Sequence, residues 1–538
     1  MTAQVITSLA GTGTLVRMAL RRDRGRLPSW IVGIAAMVAV VAATLGGLYP
    51  TVESRVAIAA TVTATPALQA MLGPIFDPTS VGGLVAWRMS FAAVVLVPLM
   101  AVLAVVRHSR AEEETGRLEL LGSTALGRRA PLAAAVIVAA GASLAVGAAV
   151  AAVLVALGEA PLGSLALGLA YALAGWLFAA VAAVAAQLTE SSRGATGIAV
   201  AVLGASFLLR GVGDAATDAG LRWMTWASPS GWIMQLRPYA GERWLVVGLC
   251  AATAVALLVV ADVLVTRRDL GAGLVPPRPG EARAPRWLAG PVGLAWRLHR
   301  RTLLAWTAGM FALGAMYGSI AAGVGQLLRE TPQLEVIFRR LGGEQALVDA
   351  FFATTMAVAG LVASGYVIHT VLRLRAEEVA LLAEQVLATA VTRTAWALGH
   401  VGVAVAGAGV LLATCGVGAG LTHGLRVGDV GGQVPALVGA GLLQLPAVMV
   451  LAGLALALFG LLPRATVLAW AALVTFLFVG QLGSLLQLQQ WVLNLSPFTH
   501  VPAGPGRELS AEPLVALAAM AAALGAAGLV GLRARDIG

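Results

Sequence analysis

The chain has 538 residues, of which 59% are hydrophobic and 12% charged, and its mean hydropathy is +0.87. Soluble domains run at roughly 45–50% apolar and about 25% charged, so this balance excludes a solvated globular enzyme, a disordered chain and a coiled coil. It indicates an all-α polytopic membrane protein with apolar sequence for about a dozen spans of ~20 residues each.

All 36 Lys+Arg positions are arginine. Chemistry that needs a lysine, such as Schiff bases, P-loop phosphate binding and pyridoxal-phosphate attachment, is excluded. The net charge of +10 is assigned to cytoplasmic loops and not to nucleic acid. Cys250 and Cys415 lie in separate apolar runs and read as small core hydrophobes.

In chain order, residues 14–29 place Leu15, Val16, Ala19 and Leu20 on one helical face and Arg17, Arg21 and Arg24 on another. This predicts an amphipathic interface helix in a cytoplasmic segment 1–29. Six spans follow, over 30–49, 84–106, 131–157, 163–187, 194–212 and 244–266, forming a first half 30–266. A Pro- and Arg-rich linker, 267–302, carries a second interface helix over 292–305. The second half, 303–538, has spans over 303–324, 352–372, 398–421, 433–459, 466–486 and 513–532. Runs of this length satisfy their own backbone hydrogen bonds in lipid only as helices. Small residues such as Ala139-Ala140-Gly141-Ala142 let helices approach closely.

With both termini inside, twenty-five arginines fall in cytoplasmic segments and ten outside, which favours that orientation. Arg210 alone lies within a span and reads as a snorkelling outer-leaflet residue. Asp262 is the one acid placed inside a span. The histidines have no metal-ligand spacing, and none fills the place of a mid-membrane titratable group.

The halves repeat one another. Arg110-Ala111-Glu112-Glu113 recurs as Arg375-Ala376-Glu377-Glu378 at an offset of 265, and Glu119, Thr124 and Arg128 match Glu384, Thr389 and Arg393. Ser228-Pro229 recurs as Ser496-Pro497, Arg268-Asp269-Leu270-Gly271 as Arg535-Asp536-Ile537-Gly538, and Trp30-x-x-Gly33 as Trp306-x-x-Gly309. Matches in chain order at a nearly constant offset predict a 6+6 duplication. Six is even, so the repeats are parallel. The loop 107–130 carries acids and arginines with an apolar side at Leu118, Leu120 and Leu121; an internal pair Glu113–Arg117 suits its helical spacing. Its recurrence at 375–393 suggests docking to a soluble partner, with the carboxylates meeting basic groups there. The outer loops 213–243 and 487–511 share a Ser-Pro and tryptophan, read either as an aromatic belt or as short re-entrant helices of an outer gate. The gate residues would be Ser228, Pro229, Trp232, Ser496 and Pro497.

The runs at 110–121, Ser228-Pro229 with Trp232 and Arg237-Pro238, and Arg268–Gly271 resemble the membrane component of ABC-2-type exporters. More narrowly, the chain looks like the fused twelve-span actinobacterial permeases related to tetronasin and other polyketide-antibiotic exporters. The resemblance implies a pseudo-dimer that needs no self-association, with two copies of a separate ABC ATPase that bind ATP and Mg; the chain itself would be no enzyme and hold no cofactor. It implies coupling helices at about 110–126 and 375–391, through Arg110, Glu112, Glu113, Arg117, Glu119, Arg375, Glu377, Glu378 and Glu384. It places a path for a small lipophilic substrate (drug, polyketide or lipid) along spans 2 and 5, with Ser90, Phe91, Phe207, Gln444 and Gln481. The second half departs from the pattern: Ala380-Leu381-Leu382 replaces Gly116-Arg117-Leu118, and 499–507 lacks the Trp and Arg-Pro. A twelve-span ion-coupled secondary transporter is the alternative.

Overall fold

The computed structural model describes residues 8–64, 69, 72–122, 125–215, 220–275, 285, 288, 290–329, 343–482, 489–501 and 511–536. The described chain is helical and divides into two compact units, Met1–Gly280 and Glu281–Gly538.

The first unit opens with α1 (Thr12–Arg22), α2 (Arg26–Leu48) and α3 (Val52–Ala64). Next, α4 (Val81–Arg88) leads through a π turn, Ala92–Leu96, into α5 (Val97–His108). The short α6 (Arg110–Glu114) and α7 (Arg117–Gly122) precede the long α8 (Ala130–Ala156), α9 (Pro161–Leu188) and α10 (Ser192–Ala215). Two short helices, α11 (Trp223–Trp226) and α12 (Pro229–Met234), come before α13 (Leu245–Arg267). The predicted second span is therefore bent. Pro98 has no N–H to return to the Val94 carbonyl, and the helix widens by one residue at that turn.

The second unit holds α14 (Pro291–Arg329), α15 (Gly343–Val371), α16 (Arg373–Val379), α17 (Leu382–Leu387) and α18 (Arg393–Val427). It continues with α19 (Val430–Leu442), α20 (Leu445–Leu461), α21 (Leu468–Leu482), α22 (Gln490–Leu493) and α23 (Ala511–Ala534). Pro446, in the first turn of α20, removes the donor for the Leu442 carbonyl and splits the tenth span there.

Three expectations change. Among the described residues eleven helices are long and apolar enough to cross a membrane; the span expected over 466–486 is α21, whose apolar part is the short run Leu468–Leu477. The surface helix expected over 292–305 is continuous with the following span in the 39-residue α14. Its first-half counterpart does break, at Asp23-Arg24-Gly25, whereas no Gly or Pro interrupts 296–301. Finally, α1 does not simply lie on lipid: Leu15 packs with Ala130 and Ala134 of α8.

Tight packing follows from small residues. A Cβ on Gly147 of α8 would stand 2.2 Å from the Gly168 carbonyl oxygen of α9, and one on Gly460 of α20 would stand 2.0 Å from that of Gly528 of α23. Backbones this close exchange dispersion contacts that larger side chains would block. Gly141 itself faces open space, while Ala139 and Ala142 are buried. α9 is the enclosed centre of the first unit, with Tyr171, Leu177 and Phe178 buried.

Candidate functional site

The arginine-rich end of the first unit is built around one carboxylate. Ser109 breaks the helix after α5 and lets α6 turn. Arg110 is then 1% exposed. It donates to the carbonyls of Ala186 (3.0 Å) and Ala272 (2.8 Å) and to Glu113 Oε2 (2.6 Å). Arg268, just past α13, closes a two-point pair on Glu113 at 2.6 and 2.8 Å, and its Nε reaches Gln187 at 2.7 Å. Paired, planar contacts of this kind are what guanidinium makes best. The segment after Arg268 is strapped to the end of α9 by Leu274 N to Gln187 O and Val275 N to Leu188 O. Arg128 adds hydrogen bonds to the carbonyls of Val265 (3.2 Å) and Arg268 (2.5 Å).

The same knot recurs in the second unit. Glu378 is held by Arg375 at 2.7 Å and Arg535 at 3.0 Å, and Arg393 donates to the Arg535 carbonyl at 2.6 Å. The recurring Arg-x-x-Glu and Arg-Asp-x-Gly motifs are thus partners of one another. The pairing expected between Glu113 and Arg117 is not the one found: Arg117 faces Glu112 at 3.7 Å, because Gly116 turns the chain between α6 and α7.

Other charges are also committed. Arg22 of α1 pairs with Glu112. Asp23, 3% exposed, meets His108 at 2.6 Å and Arg107 at 3.1 Å. Glu114 accepts from Ser192 N at 3.0 Å. In the second unit Glu377 is buried between Arg373 (2.9 Å), Trp396 Nε1 (3.2 Å) and His400 (3.5 Å), and His400 meets His299 at 3.0 Å. His423 lies inside α18, not in a loop.

What remains outward is compact. In α7, Leu118 is buried while Arg117, Glu119 and Leu120 are exposed. In the repeat Ala383 is buried, and Val379, Leu381, Leu382 and Glu384 are exposed. Each expected coupling helix is two short helices meeting at a left-handed residue, Gly116 (φ 72°) and Leu381 (φ 58°). These two residues are equivalent at offset 265, so the register that set Gly116 against Ala380 shifts by one. Thr124 lies outside the described residues.

At the other end, Ser228 caps α12 through Gly231 N and donates to Ser206 O of α10 at 2.5 Å. Ser206 also bridges to Ser230 at 2.8 Å. One turn on, Arg210 is fully buried against Asp214 (3.1 Å), and Asp214 accepts from Thr225 at 2.9 Å. Arg210 therefore does not snorkel. Asp214 joins Asp262 as an acid inside a long helix, because α10 runs further than the apolar window. Asp262 pairs with Arg129 at 2.9 Å. Trp223, Trp226, Trp244 and Trp491 are exposed, as an aromatic belt requires. The half-buried Trp232 donates to Trp226 O at 2.5 Å. Tyr239, beside Arg237-Pro238, reaches Ser164 at 2.8 Å, and burial pushes its hydroxyl up to about 12. In the second unit Ser496 and Pro497 are buried.

Of the expected path residues, Phe91 and Phe207 meet edge-to-face at 6.2 Å. Ser90 donates to Leu72 O and borders a cavity of about 40 Å³, which is room for waters and not for a drug. Gln444 is buried at the break before α20. The Gln481 side chain lies outside the described residues.

Long apolar helices around enclosed, small-residue cores define a multi-pass protein of the cytoplasmic membrane. The family profile described as "Multidrug efflux system permease Rv1217c, C-terminal domain" matches residues 13–265 and 288–533. The chain is also 44% identical over 532 residues, 99% of its own length and 96% of the relative's, to the multidrug efflux system permease protein Rv1217c of Mycobacterium tuberculosis. The chain belongs to the Rv1217c multidrug efflux permease family.

Proposed function

We propose that the chain is the permease subunit of an ATP-driven ABC exporter of the ABC-2 type that moves lipophilic compounds (drugs, polyketide antibiotics or lipids) out of the cytoplasm. A separate ATPase, two copies per permease, binds ATP and Mg, and this chain performs no catalysis of its own. The relative's name, a multidrug efflux permease, supports the cargo class. The observation that carries the reading is the repeated exposed tip. Each is a short helix with an exposed apolar edge and an outward acid, Glu119 in α7 and Glu384 in α17, mounted on an ion-pair knot. A tip so anchored transmits a push from a docked subunit into α5, α9 and α13, where a flexible loop would absorb it. Acids at the rim of an apolar contact give register and on-rate.

Purifying the chain with its cognate ATPase tests this. One permease with two ATPase subunits and ATP hydrolysis stimulated by a lipophilic drug is the expected result. A permease that binds no ATPase in detergent and in nanodiscs overturns it. The buried, titratable Glu377–His400–His299 group at the coupling-helix end of the second unit favours one rival, an ion-coupled carrier. Drug transport driven by a pH gradient without ATP would select that rival.

A further inference from the structure

A cavity of about 560 Å³ opens at the arginine-rich end of the first unit, between α2, α5 and α10. Its volume lies in the range of small-molecule sites, roughly 300–1,000 Å³. The wall is amphipathic in a definite direction. Toward the middle of the helices it is apolar, with Met100, Leu103 and Ala104. At the chain-turn level it carries Arg26, Arg107 and Thr196, with Trp30 at the boundary. Aromatic rings favour the headgroup level of a bilayer.

The charge count in the cavity is unbalanced. Asp23 is the acid in its wall, set against Arg107 at 3.1 Å and Arg26 at 3.9 Å. Two guanidinium groups therefore face one carboxylate. His108, the other group on Asp23 at 2.6 Å, adds no negative charge. Arg22 is paired with Glu112; Glu114, held by Ser192, keeps its charge but is not part of the wall. Arg26 is 66% exposed and paired with Asp23 only at 3.9 Å, so its guanidinium can turn to an incoming anion. Guanidinium pairs with phosphate through parallel hydrogen bonds, and each arginine near an anionic membrane surface is worth about 1 kcal/mol.

We infer that this cavity binds an anionic phospholipid of the inner leaflet, its phosphate on Arg26 and Arg107 and an acyl chain along Met100 and Leu103. The arginine count places this end at the cytoplasmic face, where the anionic leaflet lies. Free amphiphilic acids share the chemistry of an anionic head on an apolar tail. The phospholipid is favoured because the cavity opens where bilayer lipid is at hand and needs no soluble ligand. The inference stands apart from the exporter reading, since lipid retention is read without transport.

The test is retention of lipid by the full-length chain, followed by native mass spectrometry after reconstitution in nanodiscs of phosphatidylcholine with a minor share of phosphatidylglycerol. Wild type should keep phosphatidylglycerol selectively. Arg26→Glu removes the exposed cation, and Leu103→Trp, at a 43% exposed position, fills the hollow without touching the Asp23 contacts. Each should lower retention about five-fold or more, the effect of losing one such arginine contact. Arg24→Glu, an equal charge change at an exposed position outside the cavity, should leave it unchanged. Equal retention of phosphatidylcholine overturns the inference. So does full retention in Arg26→Glu and Leu103→Trp, or a loss in Arg24→Glu as large as theirs. Oleate bound in place of any phosphatidylglycerol overturns the phospholipid assignment.

Discussion

Glu113 and Arg268 lie 155 residues apart in sequence and meet through two parallel hydrogen bonds, 2.6 and 2.8 Å long, with both side chains nearly buried. In the second unit Glu378 and Arg535 repeat the pairing as an ion pair at 3.0 Å without hydrogen-bond geometry, with Arg535 18% exposed. Removing one partner of a buried pair costs up to about 3–5 kcal/mol, and less where, as here, Arg110 stays on Glu113. Arg268→Ala should therefore lower the apparent melting temperature of the purified chain clearly more than Arg535→Ala. Thermal unfolding in detergent checks this; equal losses would reject the ranking, and absent losses would reject the knot as a stabilising element.

The left-handed turn between the paired short helices is cheap in one unit and strained in the other. Gly116 suits φ 72°, whereas Leu381 at φ 58° holds a Cβ against its own backbone. Gly116→Leu should destabilise by about 1–2 kcal/mol. Leu381→Gly should stabilise by less, roughly half of that, because glycine gives up about 0.5–1 kcal/mol more backbone entropy on folding. A fall in melting temperature for Leu381→Gly would show that the Leu381 side chain makes contacts worth more than the strain.

Docking and folding separate at the tips. Glu119 and Glu384 are exposed, so Glu119→Arg with Glu384→Arg should leave the stability within about 0.5 kcal/mol of wild type, read as an unchanged melting temperature. ATPase binding should weaken about ten-fold and become less sensitive to salt. Affinity by biolayer interferometry at two ionic strengths reads both. Reversing Glu113 or Glu378 is the wrong test of docking, because those acids hold the unit together.

At the opposite end, Arg210→Leu removes the 3.1 Å ion pair from the buried Asp214 and keeps its 2.9 Å hydrogen bond from Thr225. The expected loss is about 3 kcal/mol or more, and adding Asp214→Leu should recover most of it. A double variant no better than the single would mean that Arg210 acts through Phe207, over which it stacks at 4.6 Å, and not through its charge.

The spans were legible because apolar length is a local property. Residues 130–156 and 161–188 form helices within a few residues of the expected ends. The two breaks depended on single prolines, 98 and 446, whose effect is a lost donor and not a lost hydropathy. The acidic repeat was legible as a motif but not as a contact, since helical spacing offers Arg117 to Glu113 and says nothing of Arg268. A usable signal was present: two motifs that recur together at offsets of 265 and 267 had reason to touch. Asp214, four residues after Arg210, was likewise visible as a helical pair once the span was allowed to run further. The Asp23 clamp on Arg107 and His108 left no such trace, because neither side of it recurs as a motif.

The knot also orders events during synthesis. Glu113 emerges from the ribosome long before Arg268, and Glu378 before Arg535, so each acid has only the arginine three residues before it until the final helix is made. A nascent half can then keep its charged end hydrated and movable while spans are still entering the bilayer, and it becomes fixed when the final helix delivers the arginine. Each ion pair thus acts as a latch that marks a completed half, and a chain stopped short of it presents an unlatched, recognisable end to membrane proteolysis.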